Sequence, residues 1–144
     1  MKKMILVAAL MAASFSATAA DKMIKFPIAG ALAANDAQSR LGDSVKFYFA
    51  GQPTPTVITK ITSDKTSQRT NSFGKSADTA CNWVFLSAML ALQKRAQQVG
   101  ANAVVNIVSN FRDVEMASAT EFECAEGAIM AGVALKGDFV KIAP

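Results

Sequence analysis

The longest amphipathic pattern in the chain lies between Ser76 and Gly100. Cys81, Val84, Phe85, Ala88, Leu92, Ala96 and Val99 recur at intervals of three and four, the spacing of one buried helical face. Trp83, Leu86, Met89 and Leu90 lie beyond that stripe, so the predicted helix, about Ala77 to Gln98, needs cover on more than one side. Ser76 stands where an N-cap belongs and Asp78 puts negative charge in the first turn. Lys94 and Arg95 lie toward the other end, where cations suit the helix dipole, and Gly100 suits a left-handed stop. After the glycine the pattern changes to alternation. Ala103, Val105, Ile107 and Phe111 share one parity and predict a strand returning beside the helix. Asn102, Asn106 and Asn110 fall on its other face among Val104 and Val108, a polar outer face by default and an asparagine ladder for a ligand as the functional option.

Shorter alternating runs flank this unit. Asp21 to Ile28 reads as a strand with Ile24, Phe26 and Ile28 on one side, and Pro27 marks it as an edge or an end. Ala31 to Leu41 reads as a short helix stopped by Gly42, with Asn35 and Asp36 working against it. Val45, Phe47 and Phe49 predict a half-buried strand, and Val57 to Thr62 a β-branched one. Ser63 to Lys75 and Arg112 to Thr120 read as polar loops. In Glu121 to Ala125, Phe122 and Cys124 point one way, Glu121 and Glu123 the other. Ile129, Ala131, Val133 and Leu135 predict a final strand whose other face, Ala128, Met130, Gly132 and Ala134, is small enough for close approach by another element or subunit. A helix followed by consecutive strands predicts an α+β fold, one long central helix packed on a mainly antiparallel sheet in a single compact domain.

The first residues change the picture of where this domain works. Lys2 and Lys3, the apolar run from Met4 to Met11, and Ala17-Thr18-Ala19 form a secretory leader with its small-residue cleavage site. The run is too short for the ~20 residues of a bilayer span, and no cysteine follows the cut to carry a lipid anchor. The expected organisation is a signal peptide over residues 1–19 and one domain over residues 20–144, exported to the periplasm or the medium. No later segment is long and apolar enough to span a membrane. The 144 residues carry 15 Lys and Arg against 11 Asp and Glu, and losing Lys2 and Lys3 takes the formal charge from +4 to +2. That balance does not predict a nucleic-acid partner.

Candidate chemistry is sparse. The chain has no histidine, which excludes Ser-His-Asp and Cys-His catalysis and histidine-based zinc sites. Cys81 and Cys124 are the only cysteines, and an oxidising compartment favours a disulfide between them. The returning strand brings the chain back toward the start of the helix, and Cys124 shares the inward parity of Phe122. The rival is a reactive thiolate at Cys81 near the positive helix end, which an apolar setting opposes. Gly74-Lys75-Ser76 invites a phosphate-loop reading, but the first glycine of GxxxxGK[ST] falls on Arg69. Lys65, Arg69 and Lys75 form a candidate anion patch, with solvated loop charge as the plainer reading. Asp113, Glu115, Glu121, Glu123 and Glu126 make the opposite patch, without a DxDxDG calcium loop. No residue is assigned a catalytic, cofactor or metal role.

Several stretches carry a resemblance. Arg69-Thr70-Asn71, Gly74-Lys75-Ser76, Ala80-Cys81-Asn82-Trp83, Gly100-Ala101-Asn102-Ala103-Val104-Val105-Asn106-Ile107 and Ser118-Ala119-Thr120-Glu121-Phe122-Glu123-Cys124 resemble a group of secreted, uncharacterised bacterial proteins. Members often carry the inherited label "excinuclease ATPase subunit", which needs P-loops and cytoplasmic DNA that this chain does not offer. More distantly, the helix, the Gly-Ala-Asn-Ala-Val-Val strand and the glycine- and alanine-rich last strand are similar to the YbjQ-like putative heavy-metal-binding family and to RcsF-like envelope sensors. These resemblances imply a compact α+β core, with oligomers in the YbjQ-like case, and carry over no functional residue. The expected function is an exported, non-enzymatic binding or envelope-associated domain whose partner is an envelope protein, a ligand or a second copy of itself. The alternative is a small hydrolase or metal-dependent enzyme using the acidic edge around Glu121 and Glu123.

Overall fold

Runs of β-branched and aromatic residues build six strands, and three helices cover one face of the sheet they form. The computed structural model describes residues 21–144, so the expected leader lies outside the described residues. In chain order the elements are β1 (Lys22–Pro27), α1 (Ile28–Leu32), α2 (Ala37–Leu41), β2 (Lys46–Phe49), β3 (Val57–Asn71), α3 (Ala77–Val99), β4 (Ala103–Ser109), β5 (Glu121–Glu126) and β6 (Met130–Ile142). A single 3-10 turn, Phe111–Asp113, links β4 to β5. The fold is α+β, with α3 packed against a curled mixed sheet.

β6 is the strand the others share. Antiparallel β3 runs along one edge of it, from Val57 opposite Ile142 to Asn71 opposite Met130. Its other edge is divided: β5 takes Ala131 and Gly132, and β4 takes Leu135 to Val140. β1 lies antiparallel outside β5, and β2 lies parallel outside β4. One long strand serving two diverging neighbours makes the sheet curl.

Inside the curl lies the core. Phe85 of α3 stacks near Phe122 with ring centroids 4.4 Å apart, and Phe49 and Phe26 extend the cluster at 6.1 Å. Val104, Ile107, Val133, Leu135 and Phe139 supply the sheet side, all fully buried. Leu86 and Met89, on the second apolar stripe of α3, are buried as well; Met89 shares a cleft with Ile28, Leu41 and Phe49. Gln93 fixes this layer by donating its amide to the Leu41 carbonyl. Trp83 stays 41% exposed, with the Arg40 guanidinium 5.4 Å from its ring centroid.

Five local expectations are corrected by the structure. Ala31–Leu41 is two helices, because Asn35 and Asp36 adopt left-handed φ of 57° and 55° between them. Such a pair cannot continue a right-handed helix, and short polar side chains tolerate that region best. The stretch from Ser63 is strand as far as Asn71, since β6 offers it a continuous edge for thirteen residues. The parity of β4 breaks at Asn106, whose φ of 52° makes a bulge between Val105 and Val108. Val104 and Ile107 therefore face α3, while Ala103 and Val105 join Val140 and Ile142 in a small cluster on the other face. Phe111 lies beyond the strand, in the 3-10 turn. Finally, Ser76 occupies the N-cap position of α3, but its hydroxyl turns to Thr79 Oγ1 at 2.8 Å and not to a backbone amide.

Candidate functional site

The disulfide pair is the best-defined expected site. Cys81 in α3 and Cys124 in β5 are fully buried at disulfide distance, with Sγ atoms 2.07 Å and Cα atoms 5.9 Å apart. Buried beside Phe85 and Phe122, the pair ties helix to sheet at the centre of the core.

The expected anion patch is divided. β3 alternates between the α3 side, where Asp64 pairs with Arg95 at 2.9 Å, and the outer side, where Lys65 and Arg69 project. Lys65 stands opposite Lys136 in the register, and two like charges so placed repel unless they are compensated. Each is: Asp113 holds Lys65 at 2.6 Å, and Glu115 holds Lys136 at 2.8 Å. The hydrogen bond from Lys65 keeps the Asp113 carboxyl below its usual range, and the bond to Glu115 raises the Lys136 ammonium. Next along the face, Asp138 accepts from Ser63 at 2.6 Å and from Asn106 at 3.2 Å, with Lys60 at 3.4 Å. Partial burial works against its charge, but these partners outweigh it and hold the carboxyl below its usual range.

Beside them, Ser63, Asp64, Lys65, Asn110, Asp113, Glu115 and Lys136 line an open cleft of about 330 Å³. Its lysines are paired with Asp113 and Glu115, and Asp64 with Arg95, so it offers no unpaired charge to an anion or a cation. Lys75 lies apart, in the loop between β3 and α3.

The asparagines expected on one face do three different things. Asn102 brackets Ile142, accepting from its amide at 2.8 Å and donating to its carbonyl at 3.2 Å. Asn106 makes the bulge, and Asn110 sits buried under the cleft. The small face of β6 is covered within the chain at Gly132 and Ala134, where a Cβ on Gly132 would come 3.4 Å from Phe111 Cε2, but Ala128 and Met130 stay exposed. On the acidic edge, Glu121 stands opposite Pro27 and Glu123 opposite Lys25, and neither lines a cleft described above. Among the described residues, no three His, Cys, Asp or Glu side chains gather as metal ligands.

One feature was not expected from the residues. Phe73, Ile129 and Met130 project from the end of the β3–β6 ladder, 75%, 61% and 41% exposed. The Ser72 amide donates to the Ile129 carbonyl at 2.9 Å, fastening two loops side by side, and Asn71 stands opposite Met130. Ile129 is not the inward start of the last strand, because β6 begins one residue later. The only sequence signal was Phe73 before Gly74 in an otherwise polar stretch. Among the described residues, no helix is long and apolar enough to cross a membrane. No protein-family model matches the chain, and no curated protein matches it either.

Proposed function

We propose that the protein is an exported, non-enzymatic binding domain that works at the bacterial envelope through its surface. The observation that carries this reading is the apolar tip of Phe73, Ile129 and Met130, three large side chains at one end of the β3–β6 ladder left in water. Contiguous exposed apolar groups of this kind mark contact surfaces. The leader pattern at Lys2 to Ala19 and the resemblance to secreted bacterial proteins support export, and the buried Cys81–Cys124 pair suits an oxidising compartment.

Cell fractionation tests it. The tagged protein should be recovered in processed form with the envelope. A Phe73→Asp, Ile129→Asp double variant should be processed equally well but move to the soluble periplasmic fraction or the medium. Retention of the unprocessed chain in the cytoplasm, or envelope association indifferent to the double variant, overturns the reading.

A further inference from the structure

We infer that the Phe73–Ile129–Met130 tip docks on an anionic lipid bilayer, an assignment that rests on the envelope reading above. The apolar groups are held in projection by their loops. The Phe73 amide donates to Asn71 Oδ1 at 2.8 Å, the Lys75 amide donates to the Ser72 carbonyl at 3.1 Å, and Gly74 turns the chain with a φ of 74°. On the other loop, the Gly127 amide donates to the Met130 carbonyl at 2.8 Å. The exposed side chains at the ends of these fastened segments offer apolar surface that a bilayer interface accepts as it stands.

Charge points the same way. Lys60, Lys65, Lys136 and Arg112 on the body of the sheet each have a carboxylate partner. Arg69 and Lys75, like Lys22, Lys25, Lys94 and Lys141, have none within ion-pair distance among the described residues, and Arg69 and Lys75 flank the tip. Lys75 shares the Phe73 loop, and Arg69 lines a cleft with Met130 and Gly132. Of the nearby carboxylates, Asp21 holds Arg112 at 3.1 Å, and neither Glu126 nor Asp78 forms an ion pair with Arg69 or Lys75. Two uncompensated cations beside an apolar tip match phosphate headgroups above acyl chains.

Flotation of the processed chain with lipid vesicles decides the matter. Binding is expected to vesicles of phosphatidylcholine mixed with phosphatidylglycerol, weaker to phosphatidylcholine alone, and reduced by salt. Phe73→Asp and Ile129→Asp should each weaken it about tenfold or more, and Lys75→Ala about fivefold. Ile58→Asp, an exposed apolar position at the other end of β3, should leave it unchanged. Circular dichroism and melting of each variant separate lost binding from lost folding. Failure to bind the mixed vesicles, or binding that ignores Phe73 and Ile129, overturns the lipid assignment. If vesicles fail while envelope association in cells still depends on the tip, the contact is a protein and only the lipid assignment falls; loss of both removes both readings.

Discussion

Gly137 of β6 lies so close to Val104 of β4 that a Cβ on the glycine would meet Val104 Cγ1 at 2.7 Å and Ile107 Cγ1 at 3.2 Å. Both valine and isoleucine atoms belong to the core between sheet and helix, so neither can withdraw without opening space elsewhere. Gly137→Ala is expected to destabilise the protein by about 1–3 kcal/mol through overpacking. Urea unfolding of the two proteins measures it, and equal midpoints would show that β4 moves aside at no cost.

The Cys81–Cys124 pair closes a loop with a sequence separation of 43 between α3 and β5. In the chain-entropy model such a closure stabilises the fold by about 4 kcal/mol. Replacing both cysteines with alanine should lower stability by an amount of that order while the fold persists. Mass spectrometry of the unreduced exported protein should find no alkylatable thiol; two free thiols would contradict the pairing.

Asn106 holds the bulge of β4 in a left-handed conformation and donates to Asp138. Asn106→Val should cost about 2 kcal/mol or more, since a β-branched residue resists that φ and brings no donor. Asn106→Gly, which restores the conformation but not the bond, should cost less. Equal losses from the two substitutions would show that backbone conformation is not what asparagine supplies there.

Asp138 sets an acid limit. Its folded carboxyl lies below the ordinary range, so its contribution to stability is complete above the unfolded value and is lost as pH falls through the folded one. The stability difference between the protein and Asp138→Asn should therefore be full at neutral pH and shrink below about pH 4. Lys136, whose ammonium is raised by Glu115, gives the opposite limit: its contribution is present below about pH 10.4 and is lost as pH rises further. Chemical unfolding at several pH values checks both.

The Gly74-Lys75-Ser76 triplet should not bind ATP. It opens α3, but Arg69 stands where a phosphate loop needs its first glycine, and that arginine is paired in the β3–β6 ladder. Calorimetric titration should show no saturable micromolar binding; binding abolished by Lys75→Ala would contradict this.

By itself the sequence determined the elements whose signal is local and repeated. The i, i+3, i+4 recurrence from Cys81 to Ala96 is long enough that one register alone buries it, so α3, its glycine stop and the α+β class were legible. So was the inward parity of Phe122 and Cys124, because no bulge interrupts the β1–β5 pairing. Only the tertiary structure decided the rest. Ser63 to Asn71 is polar throughout and has no strand periodicity of its own; it is extended because β6 provides a row of hydrogen-bonding partners along its length. One bulge at Asn106 gave Val104 the inward face expected for Ala103 and Val105 while Ile107 kept it, since an inserted residue puts the positions on its two sides out of phase. The same dependence governs the candidate sites. Lys65 and Arg69 look alike as cations in the chain, yet the turn that brings Asp113 over the sheet neutralises the first and leaves the second beside the tip. Phe73 and Ile129 are 56 positions apart in the chain, and the hydrogen bond from Ser72 to the Ile129 carbonyl made them one surface. Pairing across the sheet is long-range, and no window along the sequence contains both partners.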